Sequence, residues 1–346
     1  MDQALIERQQ KFQRYGWTTS EDNLATLPKD APQAATDLAK WLTLEGRRSS
    51  LAEWLGVLRD DSRIHGNING IGAWTGRCSH SNPNTANISS AFHGEVKSAV
   101  DAVKAKYDAR IRALWQATPG SYLVGVDAEG IQLRILADYL WRHFDTDAYA
   151  MAIHNGKKEN ETDIHNVNKR ALGLNHITRD DSKTFIYAWV LNSGVDKTAQ
   201  ILKCTTTVAT DARQRFEQSI EGLSGLKNEL LPFIADRGWF TGYDGRKVLV
   251  PSLHKTLAGI LQNGEAVVMK HAILRGLKEI KASGINAKIV GFIHDETQTE
   301  VNGTKEEADE VGRIQKQAIA DTGVELGFMC PLLGSADVGR TWNDTH

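Results

Sequence analysis

The order of the predicted elements indicates an α+β fold, in which one small sheet is backed by helices and a helical lobe is inserted. Two apolar runs predict the strands. The first, Leu123–Val126, ends at Asp127, and the second, Ile289–Val301, is interrupted at residues 294–296, as expected for a hairpin with a charged turn. Residues 141–250 between them show a mostly helical pattern and form the predicted insert.

Capping signals predict where several helices begin and end. Thr178 followed by Asp181 is a capping-box variant, and Asn-Ser-Gly at 192–194 predicts the end of that helix. Thr304–Glu307 opens the last long helix, and Gly284 ends the long helix before it.

The first part of the chain has weaker signals. About the first 60 residues indicate short amphipathic helices, the clearest over Ala35–Trp54, with the pair Arg47–Arg48 exposed. Residues 64–90 are rich in Gly, Asn and Ser and cannot form a long helix. The helical segment that follows includes a basic run from Lys104 to Arg112.

Composition excludes several classes of protein. The 346 residues are 41% hydrophobic and 24% charged, which excludes a disordered or low-complexity chain. The formal net charge is −2, so binding to nucleic acid requires locally clustered Lys and Arg. Three widely separated cysteines exclude a disulfide scaffold and a zinc ribbon. The polar N-terminus and the lack of an 18-residue apolar stretch predict no secretion signal, no membrane span and a cytoplasmic location.

Two strand-borne acids form the first candidate site. Asp127 and Asp295 each follow a run that is apolar enough to be buried, where a carboxylate loses its hydration unless it is paired or binds a metal. If the two acids converge, a divalent cation relieves their repulsion. Oxygen ligands favour Mg²⁺, and two such ions support phosphoryl transfer. The alternative is that each Asp merely caps a turn, because the sequence alone does not show that they meet.

A cationic helix face forms the second candidate site. Arg179, Lys183 and Tyr187 are spaced four residues apart and therefore lie on one stripe. Cations near a helix N-terminus oppose the helix dipole, a penalty that a multiply charged anion such as a triphosphate removes. Tyr187 is then placed to stack on a base or sugar. The alternative is a solvated face in which Asp180 and Asp181 are the ionic partners.

Two shorter motifs have little specificity on their own. Asp163-Ile164-His165 precedes the cationic helix, and Thr75-Gly76-Arg77 lies in the polar stretch. Gly permits close approach of a backbone, and Arg reaches a phosphate or a groove edge. Taken singly, the first motif is explained by a histidine whose hydrogen bonds are satisfied within the fold. The second is explained by an ordinary surface loop.

Together and in this order, these segments resemble the polymerase region of family A DNA polymerases, the class of bacterial DNA polymerase I and the short phage replicases. Residues 124–134 resemble motif A, residues 179–187 the R-x3-K-x3-[FY] helix of motif B, and residues 292–301 motif C. Flanking matches are Thr75-Gly76-Arg77 with Pro83-Asn84, Asp163-Ile164-His165, Asp244-Gly245-Arg246-Lys247, and Trp342 with His346. The resemblance covers residues 60–346 well and the first 60 weakly.

The resemblance implies that a primer 3′-hydroxyl attacks the α-phosphate of an incoming dNTP in a reaction assisted by two Mg²⁺ ions. The implied metal ligands are Asp127, Asp295 and the Ala128 carbonyl. The implied catalytic residues are Asp127, Asp295, Lys183 as a proton donor to pyrophosphate, and Glu296 in an indirect supporting role. The implied dNTP-binding residues are His165, Arg179, Lys183, Tyr187 and Gln132. The implied DNA-binding residues are Arg77, Asn84, Gln262 and His294.

Several positions depart from the family pattern. Gln132 stands where the family usually has the Glu that acts as a steric gate against a ribose 2′-hydroxyl, so sugar discrimination is expected to differ. Leu191 replaces the second aromatic residue of motif B, and Asn192 stands where Gly is expected. Ala258 replaces an Asn, and Tyr187 resembles the phage subclass.

The fold implied by the resemblance is a right-hand polymerase fold with an antiparallel palm sheet, helical fingers and a truncated thumb. The expected parts are 1–60 (partial thumb and palm base), 61–137 (first part of the palm), 138–255 (fingers) and 256–346 (second part of the palm). The chain is short for the family, so we expect no 3′–5′ exonuclease domain of its own. The expected partners are primer–template DNA, dNTPs and a separate exonuclease or thumb-completing polypeptide, in the host cytoplasm if the chain is phage-encoded.

Two alternatives remain open at this point. One is a ribonucleotide-tolerant polymerase on the same scaffold, although Glu296 and Tyr187 favour deoxynucleotides. The other is a non-catalytic DNA-binding subunit of a replication complex, which the retained pair Asp127 and Asp295 argues against.

Overall fold

The computed structural model describes residues 19–28 and 30–346, so residues 1–18 and 29 of the predicted first segment lie outside the described residues. The strands are β1 (Asn67–Asn69), β2 (Ser79–Ser81), β3 (Tyr122–Ala128), β4 (Trp239–Thr241), β5 (Lys247–Leu249), β6 (Ala287–Ile293), β7 (Glu296–Val301) and β8 (Gly334–Gly339). The helices of the first half are α1 (Glu21–Leu24), α2 (Gln33–Val57), α3 (Ala99–Arg112), α4 (Ile131–Phe144), α5 (Ala148–Asn155) and α6 (Ile164–Leu172). Those that follow are α7 (Arg179–Val190), α8 (Val195–Leu202), α9 (Thr206–Ser219), α10 (Leu223–Gly225), α11 (Leu231–Arg237), α12 (Leu253–Ser283) and α13 (Lys305–Glu325).

The centre of the fold is a four-stranded antiparallel sheet in the order β6-β7-β3-β8. The side chains of Val124 and Val126 on β3 are almost fully buried in the main hydrophobic core. Strand β8 was not predicted from the sequence, because its residues Gly-Ser-Ala-Asp-Val-Gly lack an apolar alternation. The predicted α+β class with an antiparallel sheet is confirmed.

Helix α13 packs on one face of this sheet and also against α12. Gly312 permits the close approach, since a Cβ atom there would lie 3.2 Å from Ala336 and 3.4 Å from Val124. The predicted start of α13 is confirmed, because Thr304 and Glu307 form a capping box. The predicted end of α12 is confirmed as well, because Gly284 ends this helix in a left-handed conformation.

The predicted insert is mostly helical, as expected, and comprises α5 to α11 with a π-helical turn at Leu226–Leu230. It also contains a small antiparallel hairpin of β4 and β5 that was not predicted. Among the helices of residues 19–28 and 30–346, none combines the length and apolar character that a membrane crossing requires.

In the first part of the chain one prediction is confirmed and another is wrong. The helix predicted over Ala35–Trp54 is confirmed as α2, which is longer than predicted and has 25 residues, Gln33–Val57. Arg47 is not exposed, because its guanidinium forms salt bridges with Asp108 and Glu21 at 2.9 and 3.0 Å. Arg112 is also buried and therefore does not contribute to a basic surface.

Candidate active site

Asp127 and Asp295 lie at the same end of the central sheet. Asp127 is paired with Glu296 across β3 and β7, and Asp295 lies in the turn between β6 and β7. The backbone N–H of Ala128 donates to the carbonyl oxygen of Asp295 at 3.1 Å. His294 completes this tight turn with a φ of 56°, in the left-handed region. The predicted charged hairpin is therefore confirmed, and it brings the two acids to one edge, which we call the acidic edge.

The two acids of the acidic edge interact electrostatically. Burial, followed by the nearby charges of Glu265 and Asp127, raises the pKa of Asp295 to about 7. Burial, followed by the charge of Glu296, raises the pKa of Asp127 to about 6. Their negative charges are thus incompletely compensated by the protein. A hard cation with oxygen ligands fits this donor set, and Mg²⁺ is such a cation.

Glu296 is adjacent to Asp295 but has a different environment. Its buried carboxylate accepts hydrogen bonds from Trp342 Nε1, Gln298 Nε2 and His346 Nδ1 at 2.5, 2.5 and 2.8 Å. Arg112 Nη2 lies 3.6 Å away. Burial alone would raise the pKa of Glu296, but these hydrogen bonds, led by that from His346, lower it. Glu296 therefore ties the C-terminal residues to β7, and its catalytic contribution stays a prediction.

The cationic helix is α7, and its predicted start is confirmed. Thr178 and Asp181 form a reciprocal capping box. Arg179 Nη2 contacts Asp163 Oδ2 at 2.7 Å, whereas Asp180 lies 3.6 Å away. Asp163 is itself the N-cap of α6, so it connects the starts of the two helices. Arg179 is therefore held mainly by Asp163, and the neighbouring Asp180 forms only a second, longer ion pair with it.

His165 lies beside the cations of α7. Its side chain is buried, and its pKa is lowered to about 4 by burial and by the charges of Arg179 and Lys183. The imidazole is consequently neutral near pH 7, and its Nδ1 is buried without a hydrogen-bond partner. Lys183 is exposed, and the ring of Tyr187 lies 6.5 Å from that of His165. The structure thus brings together the predicted triphosphate-binding residues.

Tyr187 connects the cationic stripe to the acidic edge. Burial, followed by the charges of Asp295 and Asp127, raises the pKa of its hydroxyl. Both carboxylates therefore lie within electrostatic reach of Tyr187, one turn along α7 from Lys183. Tyr187 is thus the member of the stripe that lies near the acidic edge.

Arg77 and Gln132 meet at a residue that was not predicted from the sequence. Glu265 on α12 is fully buried, and its Oε2 accepts hydrogen bonds from Arg77 Nη2 at 2.5 Å and from Gln132 Nε2 at 2.9 Å. Burial and the charge of Arg77 lower the pKa of His294, which places His294 near the same cluster. The sequence contains a signal for Glu265, because a single acid precedes the apolar run 266–269.

The remaining predicted DNA-binding residues have other surroundings. Gln262 is half-buried on α12, next to Asn263, whose Nδ2 donates to the Thr75 carbonyl at 3.0 Å. Asn84 is exposed, and its Oδ1 accepts from the backbone N–H of Ala86 at 3.2 Å. Asn84 thus caps a short 3₁₀ turn, and its contact with DNA stays a prediction, like that of Gln262.

Two departures from the family pattern lie at the end of α7, and one of them has a local physical explanation. Leu191 ends α7 with its side chain 53% exposed. Asn192 has a φ of 57°, in the left-handed region that Asn tolerates better than most residues other than Gly. Asn192 therefore supplies the turn for which Gly was expected.

Comparisons with known proteins agree with this geometry. The profile described as DNA polymerase family A matches residues 1–344. The chain is 29% identical to the DNA-directed DNA polymerases of Enterobacteria phage T3 and Escherichia phage T7, over 98% of this chain and 51% of each relative. It is 26% identical to DNA polymerase I of Aquifex aeolicus, over 87% of this chain and 50% of that protein. The chain thus spans about half the length of these relatives.

A solved structure shows the same fold. The POL domain of Pol1 from M. smegmatis, in complex with DNA primer-template and dNTP, superposes with a TM-score of 0.77 at 21% identity. The match covers 95% of this chain and 57% of that chain. Because the family profile extends over nearly the whole sequence and the fold agrees, the chain belongs to DNA polymerase family A.

Proposed function

We propose that this chain is a template-directed DNA polymerase, which adds deoxynucleotides to a primer 3′-hydroxyl by two-metal phosphoryl transfer. The observation that carries the proposal is the convergence of Asp127 and Asp295 at one end of the sheet, within electrostatic reach of Tyr187 on α7. The relatives from phages T3 and T7 are DNA-directed DNA polymerases, which supports the proposal.

Asp127, Asp295 and the Ala128 carbonyl are the residues that would hold two Mg²⁺ ions. Their hard oxygen atoms suit this cation, and the raised pKa of each acid indicates negative charge that a cation would offset. The chemistry that such a pair of ions supplies is activation of a hydroxyl and charge neutralisation at a leaving oxygen. The backbone hydrogen bond from the Ala128 N–H to the Asp295 carbonyl oxygen supports this assignment, because it joins the two segments that carry the proposed ligands.

The residues of α6 and α7 would bind the triphosphate. Arg179, held in place by Asp163, and exposed Lys183 supply positive charge, and neutral His165 supplies a hydrogen bond. Lys183 would also protonate the pyrophosphate as it leaves. Tyr187 lines the nucleoside between these cations and the acids. Positioning and charge neutralisation then account for most of the rate enhancement.

We assign the binding of primer–template DNA to the remaining predicted residues. Arg77 and Gln262 would follow the minor groove and primer terminus, His294 would lie at the primer end, and Asn84 would contact the DNA backbone. In this proposal residues 61–137 and 256–346 are the palm. Residues 138–255 are the fingers, and residues 1–60 belong to the thumb and palm base. A separate exonuclease or thumb-completing polypeptide stays a prediction.

Primer extension tests the proposal directly. We expect the purified chain to extend a labelled primer with dNTPs in the template-specified order, with Mg²⁺ present and not with EDTA. A parallel reaction with rNTPs measures sugar preference. Absence of extension despite primer–template binding would contradict the proposal and favour the non-catalytic DNA-binding alternative.

A further inference from the structure

Glu265 is a buried acid whose place in the site needs an explanation. It lies on α12 with no exposed surface, among apolar neighbours. Burying a carboxylate is costly unless it is paired and hydrogen-bonded. Here one of its oxygens, Oε2, binds both Arg77 and Gln132, while the other, Oε1, is buried without a partner. The carboxylate is therefore placed for what it holds rather than for the stability of the core.

The contact with Gln132 determines how that side chain is presented. Because Nε2 of Gln132 donates to Glu265, the amide cannot flip, and its Oε1 is the atom left for a ligand. Gln132 follows Asp127 by five residues at the start of α4, so it lies beside the acidic edge. The contact with Arg77 adds a second restraint on the same oxygen from another part of the chain.

We infer that Glu265 is a positioning residue that locks Gln132 against the sugar of the incoming nucleotide and thereby sets discrimination between deoxyribose and ribose. This inference rests on the proposed polymerase function. Glu265 does not contact the reacting atoms. It acts through Gln132 and, on the primer side, through Arg77.

The physical reason is the mobility of a glutamine side chain. An unrestrained Gln samples many rotamers and can move away from an additional hydroxyl group. A hydrogen bond to a charged acceptor is stronger than one between neutral groups, so Glu265 keeps the Gln132 amide in one place. Removal of the carboxylate frees the amide, and a 2′-hydroxyl is then accommodated more easily.

Three variants separate this role from a general structural one. Glu265→Ala removes both contacts, and Glu265→Gln keeps the shape but not the charge. The double variant Gln132→Glu with Glu265→Gln exchanges the two groups and restores a charged hydrogen bond and a partner for Arg77. Glu279→Ala, about four turns along the same helix, is the control.

The readout is the ratio of dNTP to rNTP affinity in a ternary complex on a dideoxy-terminated primer, which requires no turnover. The same ratio is measured for single-nucleotide insertion. We expect Glu265→Ala to lower the ratio about tenfold, Glu265→Gln to lower it less, and the exchanged double variant and Glu279→Ala to stay close to the unsubstituted chain.

The outcomes distinguish the inference from the proposed function. If the unsubstituted chain selects dNTPs but Glu265→Ala and Glu265→Gln keep the same ratio, the inference is wrong and the proposed function stands. If the single variants lower the ratio and the exchange does not restore it, the inference is also wrong, because a structural loss explains the change. If the unsubstituted chain neither binds nor inserts a nucleotide, both are overturned.

Discussion

Asp295 and Glu296 are neighbours in the sequence, yet they belong to two regions with opposite electrostatics. At the acidic edge, burial and neighbouring acids raise the pKa of Asp127 and Asp295. Beside this edge, the network of Glu296, Gln298, Trp342 and His346 surrounds the Glu296 carboxylate with donors, which lower its pKa. Adjacent acids on one hairpin thus differ because Asp295 lies in the turn, whereas Glu296 begins β7 and finds different partners.

This difference shows how the central sheet divides its charges. Carboxylates that need an external cation are left without sufficient donors, at a cost in stability. Carboxylates that support the fold are saturated with hydrogen bonds. Substitutions at the acidic edge, in the network of Glu296, on the cationic stripe and at His165 are expected to have effects that decrease in that order.

The largest effect is expected at the acidic edge. Asp127→Asn should lower single-turnover nucleotide incorporation by at least about a thousandfold, equivalent to about 4 kcal/mol, because the amide no longer holds a divalent cation. Rapid-quench incorporation checks this. Asp337→Asn, on the exposed part of β8, is the matched control and should keep its rate. Equal losses in both variants would contradict the special role of Asp127.

A substitution in the network of Glu296 should change the free energy of unfolding. Glu296→Ala should lower the free energy of unfolding by about 3 kcal/mol, because buried Arg112 loses its counter-charge and Trp342 its acceptor. Urea denaturation measures this. Glu310→Ala, which breaks an exposed pair with Arg313, should leave the free energy of unfolding nearly unchanged, because water screens that pair. A Glu296→Ala variant as stable as this control would contradict the network.

A substitution on the cationic stripe should weaken the binding of the nucleotide. Lys183→Ala should raise the dNTP KM about tenfold through loss of a charged contact to phosphate. Steady-state insertion kinetics at a fixed primer–template concentration measures this. Lys197→Ala, an exposed cation on α8, should leave KM unchanged. If both variants shift KM equally, the effect is a general one of net charge.

The smallest effect is expected from His165. Its pKa of about 4 lies below the ordinary value of 6.5, so the fold favours the neutral ring. The associated stability is complete above about pH 6.5 and is lost as the pH falls towards 4. Between pH 7 and pH 5, the unsubstituted chain should therefore lose on the order of 1 kcal/mol more than His165→Gln. Urea titrations at both pH values check this, with exposed His93→Gln as the control.

Local signals made much of the fold predictable from the sequence. The capping boxes at Thr178 and Thr304 and the hairpin at His294 depend on residues within a few positions of one another. Strand β8 has no such signal, because its register is imposed by β3. Arg47 was wrongly predicted as exposed, since its partner Asp108 lies in another helix.

For the candidate site, too, only local patterns could be predicted from the sequence. The acids follow apolar runs, and the residues of the cationic stripe are spaced four apart. Their convergence, and the contact of Asp163 with Arg179, depend on tertiary packing. Glu265 lies in an apolar helix and meets Arg77 and Gln132 only in the folded chain. Glu296 has enough hydrogen-bond donors around it and Asp295 has too few. This difference likewise depends on partners that are distant in the sequence.

A paired measurement on the two neighbouring acids tests the central claim most directly. Single-turnover incorporation and unfolding free energy are measured for Asp295→Asn and Glu296→Gln under the same conditions. We predict that Asp295→Asn loses incorporation by about a thousandfold or more with no loss of stability, because a repelling charge is removed. Glu296→Gln should be less stable and keep most of its incorporation rate below its unfolding temperature. A Glu296→Gln variant that loses as much incorporation as Asp295→Asn, or an Asp295→Asn variant that extends primers normally, would contradict this account.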